Sequence, residues 1–301
     1  MRIAVVGSTA SGKSAVAHEV ARERGDCEII CVDAMTVYRG MDIGTAKPTP
    51  AERDEVAYHL LDVVDPSEEF SVAEFQRAAR VARDEIEARG HHVLYVGGTG
   101  LYGRAVIDDL DIPGIYPEIR QQLEERAITD LPAMVAELAQ RDPLAASRIE
   151  PDNARRIVRA LEVIEGTGRT FSSFGDGLTT YGESIVTQVG LQRPLEEMDL
   201  RVEARFREWM AAGFADEVRE LLHRPGGLSK TATQAVGYRE LAAYWRGDSE
   251  LESAVVASID ATRRLVRRQR RWFRRDPRIT WFETPEAARE NLHTSLENLG
   301  D

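Results

Sequence analysis

The sequence predicts an α/β fold in which a parallel sheet carries helices on its faces and a helical lobe is inserted into the chain. Arg2–Val6 is a short apolar run without polar alternation, which is typical of a strand buried on both faces of a parallel sheet. Similar runs follow at 28–32 and 92–96. Segments with helical apolar spacing, at 14–24 and 72–89, separate these runs, and alternating strands and helices favour a parallel sheet.

The segment 72–89 carries the strongest helix signal. Ser71 and Glu74 have the spacing of a capping box, and the apolar residues that follow recur on one helical face. Gly90 then provides a stop, because glycine readily takes the left-handed conformation that ends many helices.

The chain changes character after residue 112. Three short helices with no strand between them are predicted, at 117–127, 131–141 and 152–165. A run rich in Gly, Ser and Thr at 166–182 closes this region. We therefore expect residues 113–183 to form a helical insertion, and residues 1–112 with 184–301 to form the α/β core.

The core is expected to resume with a strand at 185–191 and to end in a largely helical part. Four helices are predicted there, at about 196–212, 214–223, 234–246 and 250–274. A last strand at 279–282 precedes a helix capped by Thr284, with Pro285 in its first turn.

Charge is distributed unevenly along the chain. The net charge is −12, yet residues 263–278 contain nine arginines against Asp276 alone, a local charge of +8 that leaves −20 elsewhere. Interleaved apolar residues make this segment an amphipathic helix that can offer one side to a polyanion, so we predict a nucleic-acid contact here. The arginines predicted to share that side are Arg267, Arg270, Arg271 and Arg274.

Other features of the composition point to a cytoplasmic protein, and we expect a monomer. No stretch approaches the about 20 apolar residues that a membrane-spanning helix needs, and the first residues form a strand pattern rather than a signal sequence. The two cysteines, Cys27 and Cys31, would lie ~13 Å apart in an extended segment, beyond disulfide reach. Neither has partners at zinc-binding spacing.

A phosphate-binding loop is predicted between the first strand and the first helix, which makes the core phosphate-loop NTPase-like. Its residues are Gly7, Ser8, Thr9, Ala10, Ser11, Gly12, Lys13 and Ser14. The glycines let backbone N–H groups face an anion, Lys13 adds a point charge, and Ser14 supplies a hydroxyl for a Mg²⁺ ion. The pattern alone indicates a polyphosphate or a nucleotide such as ATP, without deciding which.

Two further candidates follow buried strands. Asp33 comes directly after the second strand and Thr99 after the strand at 92–96, where the ligands of open parallel sheets bind. A capping or turn role for Asp33 is equally consistent with its position. The glycines around Thr99 stand where many ATPases have a magnesium-binding aspartate, and no guanine-recognition motif is present, so neither an ATP-driven motor nor a GTPase is favoured.

Arg155, Arg156 and Arg159 lie on one predicted helix, with the outer two spaced i, i+4 and therefore on one side. They could hold phosphates, although a solvated helix face is the ordinary role of such charges. The sequence at this point leaves both interpretations open.

Together these segments resemble the tRNA dimethylallyltransferase (isopentenyltransferase) family over nearly the whole chain. The resemblance rests on the loop 7–14, on DAMTVYRGMDIGTAKP at 33–48, on GGT at 97–99, on RRIVRALE at 155–162, on QAVGY at 234–238 and on RQ at 268–269. Ala34 and Thr36 stand where the family commonly has Ser and Gln.

The resemblance implies that the loop binds dimethylallyl diphosphate with Mg²⁺, and that the partner is the anticodon arm of tRNA. The implied catalytic residues are Asp33 as general base, with Thr99, Arg201 and Lys13 stabilising the leaving diphosphate. The implied tRNA contacts are Asp33, Ala34, Met35, Thr36, Thr99, Arg120, Arg155, Arg156 and Arg159, to which the basic segment adds Arg267 and Arg271.

Two alternatives remain at this point. A phosphate-loop small-molecule or nucleoside kinase would also use Lys13, Ser14 and an aspartate after the second strand, but it leaves the basic segment 263–278 without a task. A non-catalytic RNA-binding ATPase module would give Asp33 and Thr99 no role.

Overall fold

A computed structural model describes residues 1–174 and 180–297. Its centre is a six-stranded sheet in the order β3-β2-β4-β1-β5-β6, with every neighbouring pair parallel. The strands are β1 Arg2–Val6, β2 Cys27–Cys31, β3 Tyr58–His59, β4 His92–Gly97, β5 Thr187–Leu191 and β6 Ile279–Phe282. The predicted α/β class with a parallel sheet is confirmed. Only β3 was not predicted, because two residues are too few for a pattern.

The helices follow the predicted order with three short additions. They are α1 Lys13–Arg24, α2 Pro50–Glu55, α3 Val72–Ala88, α4 Gly100–Ile107, α5 Pro117–Arg141, α6 Pro143–Arg148, α7 Ala154–Thr167, α8 Leu195–Ala211, α9 Phe214–His223, α10 Tyr238–Trp245, α11 Leu251–Phe273 and α12 Pro285–Glu297. The predicted capping box of Ser71 and Glu74 is present at the start of α3. Helices α2, α4 and α6 were not predicted, since each has eight residues or fewer.

The helices predicted at 117–127 and 131–141 are the two segments of α5. They join at Asp130, whose φ of −150° and ψ of 66° are not helical. The Asp130 carboxylate accepts the Ala133 N–H at 3.0 Å, as an N-cap does, and Pro132 stands at the start of the second segment.

Alternate residues of each central strand enter different halves of the core. Ile3 and Val5 point toward α1 and α12, where they pack with Val16 and Leu292. Their neighbours on β1 point the other way, into a larger cluster formed with α3 and helices α8 to α11. Burial on both faces explains why β1 and β4 are apolar after their first residue.

The chain divides into two compact units, residues 1–107 with 183–301, and residues 108–182. The smaller unit is helical and has its own core, which includes Leu123, Leu138 and Leu161. The predicted Gly/Ser/Thr-rich run at 166–182 lies partly outside the described residues. Within residues 1–174 and 180–297, no helix combines the length and apolarity that crossing a membrane requires.

Candidate active site

The segment 7–14 connects the end of β1 to the start of α1, as the phosphate-loop pattern predicts. Gly12 has φ 99° and ψ 0°, a left-handed conformation that caps α1 without a side-chain hydrogen bond. At Gly7, a Cβ atom would lie 2.6 Å from the carbonyl oxygen of Leu191. Both glycines are therefore required, and the loop delivers unpaired N–H groups at the first turn of α1.

Two arginines from outside the loop hold its carbonyl oxygens. Arg193 donates from Nε to the oxygen of Ser11 at 3.1 Å, and Arg201 donates from Nε to the oxygen of Ala10 at 2.9 Å. Arg201 was predicted as a catalytic residue, and the structure brings it to the loop. Arg193 was not predicted, because it stands alone between β5 and α8 without a motif.

Gln269 of α11 ties the phosphate loop to the loop after β4. Its Oε1 accepts the N–H of Thr9 at 2.9 Å, and its Nε2 donates to the oxygen of Gly98 at 2.8 Å. The RQ pair at 268–269 thus belongs to the site through its glutamine.

Arg205 lies one turn beyond Arg201 on α8 and enters the site more deeply. It donates from Nη2 to Thr9 Oγ1 at 2.6 Å, and its guanidinium lies 4.7 Å from the ring centroid of Trp209. Its Nε is buried without a hydrogen-bond partner among the described residues. Burial, with the nearby Arg201, lowers the pKa of Arg205 to about 10. Sequence reasoning missed this residue, although its i, i+4 spacing from Arg201 was a usable signal.

Lys13 projects from the start of α1 toward the same space. Its Nζ donates to the oxygen of Ser8 at 3.4 Å. Burial lowers the pKa of Lys13 to about 8, while the Asp33 carboxylate opposes and Arg205 adds to this shift. A desolvated, incompletely paired ammonium of this kind favours an anionic ligand.

Asp33 and Thr99, which follow the adjacent strands β2 and β4, contact one another. The sequence predicted that both lie at this edge of the sheet, without predicting the contact. Thr99 Oγ1 donates to Asp33 Oδ2 at 3.3 Å and accepts the N–H of Ala34 at 3.4 Å. Asp33 Oδ1 accepts the N–H of Met35 at 2.9 Å. Burial raises the pKa of Asp33, and these hydrogen bonds together with Lys13 partly offset that rise.

Two cavities of about 380 Å³ each open beside these residues. Lys13, Ser14 and Arg205 border both, so the cavities share the phosphate loop. Asp33 and Thr36 line the second cavity only, where the Thr36 hydroxyl is buried and has no partner among the described residues. The site therefore combines anion-binding groups, the phosphate loop with Lys13 and Arg205, with a carboxylate, Asp33.

In the helical unit, two of the predicted RNA contacts are engaged within the protein. Arg120 and Arg159 both pair with Glu162, at 2.7 Å and 3.0 Å, and Glu162 is fully buried. Glu162 also accepts the N–H of Tyr116 at 2.8 Å. These two arginines thus have a structural role that sequence reasoning missed, because nothing in the local pattern marks Glu162 as buried.

Arg155 and Arg156 of the same unit differ from Arg159. Both are exposed, and their side chains form no hydrogen bond or ion pair with any residue that the structure describes. They are free to meet an external anion.

One face of α11, which we call the paired arginine face (Arg263, Arg267 and Arg270), is turned to the protein. Arg267 forms two hydrogen bonds with Asp199, and Arg263 pairs with Glu203 at 2.9 Å. Arg270 donates to the backbone oxygen of Arg193 at 2.9 Å. The prediction that Arg267, Arg270, Arg271 and Arg274 share one RNA-facing side is therefore wrong for the first two, since Asp199 engages Arg267 and the Arg193 carbonyl engages Arg270. Arg271 and Arg274 are exposed.

A different set forms the exposed arginine face (Arg264, Arg268, Arg271 and Arg275). The first three follow at spacings of four and three on α11, and Arg275 continues the spacing just past its end. All four are exposed, and none of their side chains pairs with any residue in the described part of the chain.

The parallel sheet and the loop between β1 and α1 define a protein with the phosphate-loop NTPase-like fold, with a carboxylate–hydroxyl pair beside the loop. The family model described as IPP transferase matches residues 36–276, and the chain belongs to this family. Family membership supports the predicted transferase class and does not support the kinase alternative.

Individual relatives agree with this assignment. The chain is 47% identical to a tRNA dimethylallyltransferase of Kineococcus radiotolerans, over 95% of this chain and 92% of the relative. It is 45% identical to the Streptomyces coelicolor protein of the same name, over 96% and 92% of the two chains.

Solved structures agree in fold. A full-length tRNA isopentenylpyrophosphate transferase of Bacillus halodurans is 36% identical and superposes with a TM-score of 0.71, covering 98% of this chain and 95% of that one. A eukaryotic dimethylallyltransferase, 23% identical with a TM-score of 0.77 over 94% of this chain and 73% of that one, shares the fold.

Proposed function

We propose that this protein transfers a dimethylallyl group from dimethylallyl diphosphate to the exocyclic amine of the adenosine on the 3′ side of the tRNA anticodon, releasing diphosphate. The observation that carries the proposal is that Asp33, which Thr99 contacts, lines the same cavity as Lys13 of the phosphate loop. The names of the relatives support the same reaction.

The phosphate loop and the cations beside it bind the leaving group. Lys13 and Arg205 border both cavities, and each carries a pKa lowered by burial, so each gains from a nearby anion. Arg201 braces the loop at Ala10 and lines one cavity. We assign diphosphate binding and stabilisation of its departure to these cations and to the loop N–H groups.

The Asp33 carboxylate acts on the nucleophile. The amine nitrogen attacks the first carbon of the prenyl chain, the bond from that carbon to the diphosphate oxygen breaks with its electron pair, and Asp33 takes the amine proton. Thr99 holds one carboxylate oxygen and Met35 N–H the other, which orients the base. A raised pKa makes Asp33 a stronger base than an exposed aspartate.

A magnesium ion fits the loop through Ser14. The Ser14 side chain is exposed in the first turn of α1 and borders both cavities beside Lys13. Mg²⁺ is commonly held by one or two protein oxygens together with phosphate oxygens and water. Ser14 would hold the ion, which when bound neutralises part of the diphosphate charge.

For the tRNA, we assign the exposed arginine face in the larger unit and the exposed pair Arg155 and Arg156 in the helical unit. Unpaired guanidinium groups are suited to phosphates, which supply most of the affinity of RNA-binding proteins. The target adenine must leave its stack before its amine can meet the cavity. A cytoplasmic location and a monomeric state stay predictions.

A transfer assay tests the proposal. Purified protein is incubated with radiolabelled dimethylallyl diphosphate, Mg²⁺ and unmodified tRNA, with ATP hydrolysis followed in parallel. We expect label in tRNA without ATP and negligible ATP turnover. Robust tRNA-stimulated ATP hydrolysis with no label in tRNA would overturn the proposal.

A further inference from the structure

We infer that Lys47 is a positioning residue: its ammonium holds the segment that carries Asp33 in place and does not itself bind diphosphate. The inference rests on the proposed function, because it assigns Lys47 to the base of that reaction. It goes beyond the motif at 33–48, for which the resemblance implies no role of Lys47.

The composition singles out this position. The chain has 39 basic residues, of which only Lys13, Lys47 and Lys230 are lysines. Lys230 is exposed, whereas Lys13 stands in the phosphate loop and Lys47 is buried with 8% of its surface exposed. In so arginine-rich a chain, a buried lysine indicates a place where a compact ammonium fits and a planar guanidinium does not.

The contacts of Lys47 use every donor that it has. Its Nζ donates to the carbonyl oxygen of Tyr38 at 2.6 Å, to Asp42 Oδ1 at 2.7 Å and to Asp62 Oδ1 at 2.6 Å. An ammonium has three N–H groups, so none is left for a phosphate oxygen. Lys47 borders the second cavity, but it is already fully paired.

These contacts join two segments beside the base. The N–H of Asp62 donates to the oxygen of Thr36 at 3.2 Å, and the N–H of Val64 donates to the oxygen of Val37 at 3.0 Å. We call this pairing of residues 36–38 with residues 62–64 the seam. Lys47 donates hydrogen bonds to both of its sides, at Tyr38 and at Asp62. It therefore fixes the chain that leads from Asp33 through Thr36 to Tyr38.

The seam includes backbone that needs such support. Leu60 and Asp62 have φ values of 63° and 56°, in the left-handed region that non-glycine residues rarely adopt. The Asp62 carboxylate binds Lys47 and also Arg53, at 2.9 Å, which holds this residue in its unusual conformation.

Removal of the ammonium is therefore expected to affect the reacting geometry more than substrate affinity. Without it, Thr36 and the neighbouring turn can shift relative to the 60–64 segment, and Asp33 moves with them. The diphosphate contacts lie on other elements, in the phosphate loop and on α8.

The experiment measures the single-turnover rate of prenyl transfer and the dissociation constant of dimethylallyl diphosphate for Lys47→Met and Lys47→Arg. We expect the rate to fall by at least about tenfold in both variants, because small misplacements of a catalytic group are costly, while the dissociation constant changes less than about twofold. The control is Lys230→Met, which changes an exposed lysine and should keep the wild-type rate.

Other outcomes overturn the inference. If the transfer rate of Lys47→Met is within about twofold of wild type, the pairing of residues 36–38 with 62–64 does not need the ammonium. If the dissociation constant of dimethylallyl diphosphate rises by a larger factor than the rate falls, Lys47 is a diphosphate ligand. If Lys47→Met does not fold, Asp42→Ala removes one of the three acceptors of Lys47, on the exposed side, and should lower the rate without changing the dissociation constant; an unchanged rate counts against the inference. Wild-type protein that transfers no prenyl group is failure of the proposed function, which the parallel wild-type assay separates.

Discussion

Arg267 of α11 and Asp199 of α8 form a bidentate ion pair, with hydrogen bonds of 3.0 Å and 2.7 Å. Through this pair, one face of the arginine-rich helix contacts the acidic helix beside it. The neighbouring face of α11, the exposed arginine face, has no such partner among the described residues. The local charge of +8 therefore divides into a structural part and a part that is available to RNA.

Changing the exposed arginine face (Arg264, Arg268, Arg271 and Arg275) to glutamine should weaken tRNA binding and flatten its salt dependence. Each phosphate of single-stranded RNA that is no longer neutralised changes the log–log slope by about 0.7, so four such phosphates change it by about 2 to 3. The affinity for dimethylallyl diphosphate should stay nearly constant.

The matched control changes the paired arginine face (Arg263, Arg267 and Arg270) to glutamine. We expect this variant to melt at a lower temperature and to keep the wild-type salt slope. The reverse pattern, a flattened slope in the control and an unchanged slope in the exposed-face variant, would refute the division. Filter binding of tRNA across salt concentrations and a thermal melt measure both properties.

Glu162 should contribute to the stability of the helical unit more than any surface acid does. Glu162→Ala removes the buried partner of Arg120 and Arg159 and leaves the Tyr116 N–H unpaired. The cost should be about 2 kcal/mol or more of unfolding free energy, because the two arginines are left partly buried without their acid.

Glu137 provides the comparison for that measurement. It also pairs with two arginines, Arg126 at 2.7 Å and Arg141 at 2.8 Å, but at the surface. Glu137→Ala should cost less than about 1 kcal/mol, as surface ion pairs do. Equal destabilisation of the two variants in urea unfolding would show that Glu162 is an ordinary ion-pair partner.

Arg205 should contribute directly to diphosphate affinity. Arg205→Gln removes a buried cation next to Thr9 and should weaken binding of dimethylallyl diphosphate by about tenfold or more. Arg207→Gln, two residues along α8 on the exposed side, should leave it unchanged. Isothermal titration calorimetry of both variants measures these affinities. Equal affinities of the two variants would show that Arg205 does not bind the diphosphate.

Binding of dimethylallyl diphosphate should weaken as the pH rises past about 8. Burial lowers the pKa of Lys13 to about 8, so the free protein loses this charge above that pH, and binding must then take up a proton. The decrease in affinity should approach about tenfold per pH unit. Lys13→Arg should flatten the profile, since arginine stays charged, and an identical slope in that variant would assign the dependence to another group.

The sequence was sufficient for the elements that bury apolar runs. After their first residues, Arg2 and His92, strands β1 and β4 are apolar because both faces of the sheet are covered. The Ser71–Glu74 capping box lies within four residues. The two-residue strand β3 has no such pattern, and its pairing with β2 depends on distant contacts. The phosphate loop was predictable because its function is encoded in local backbone geometry.

Side-chain partners across elements were not predictable in the same way. Helical spacing placed Arg267 and Arg271 near one another but could not show that Asp199 lies beside only one of them. Arg205 and Lys47 were missed for a related reason, since their importance depends on burial beside residues far away in the chain. Contacts between elements are decided by the packing of the whole core, and periodicity indicates only the face.

Asp33 is the residue on which the proposed chemistry depends most. Its role as the base is tested by the single-turnover rate of prenyl transfer in Asp33→Ala, measured together with the dissociation constant of dimethylallyl diphosphate. Proton removal occurs in the transition state, so the rate should fall by about 10² to 10⁴-fold while the dissociation constant changes little. A raised dissociation constant with near-normal transfer from the bound state would contradict this role, and would make Asp33 a structural cap or a magnesium ligand.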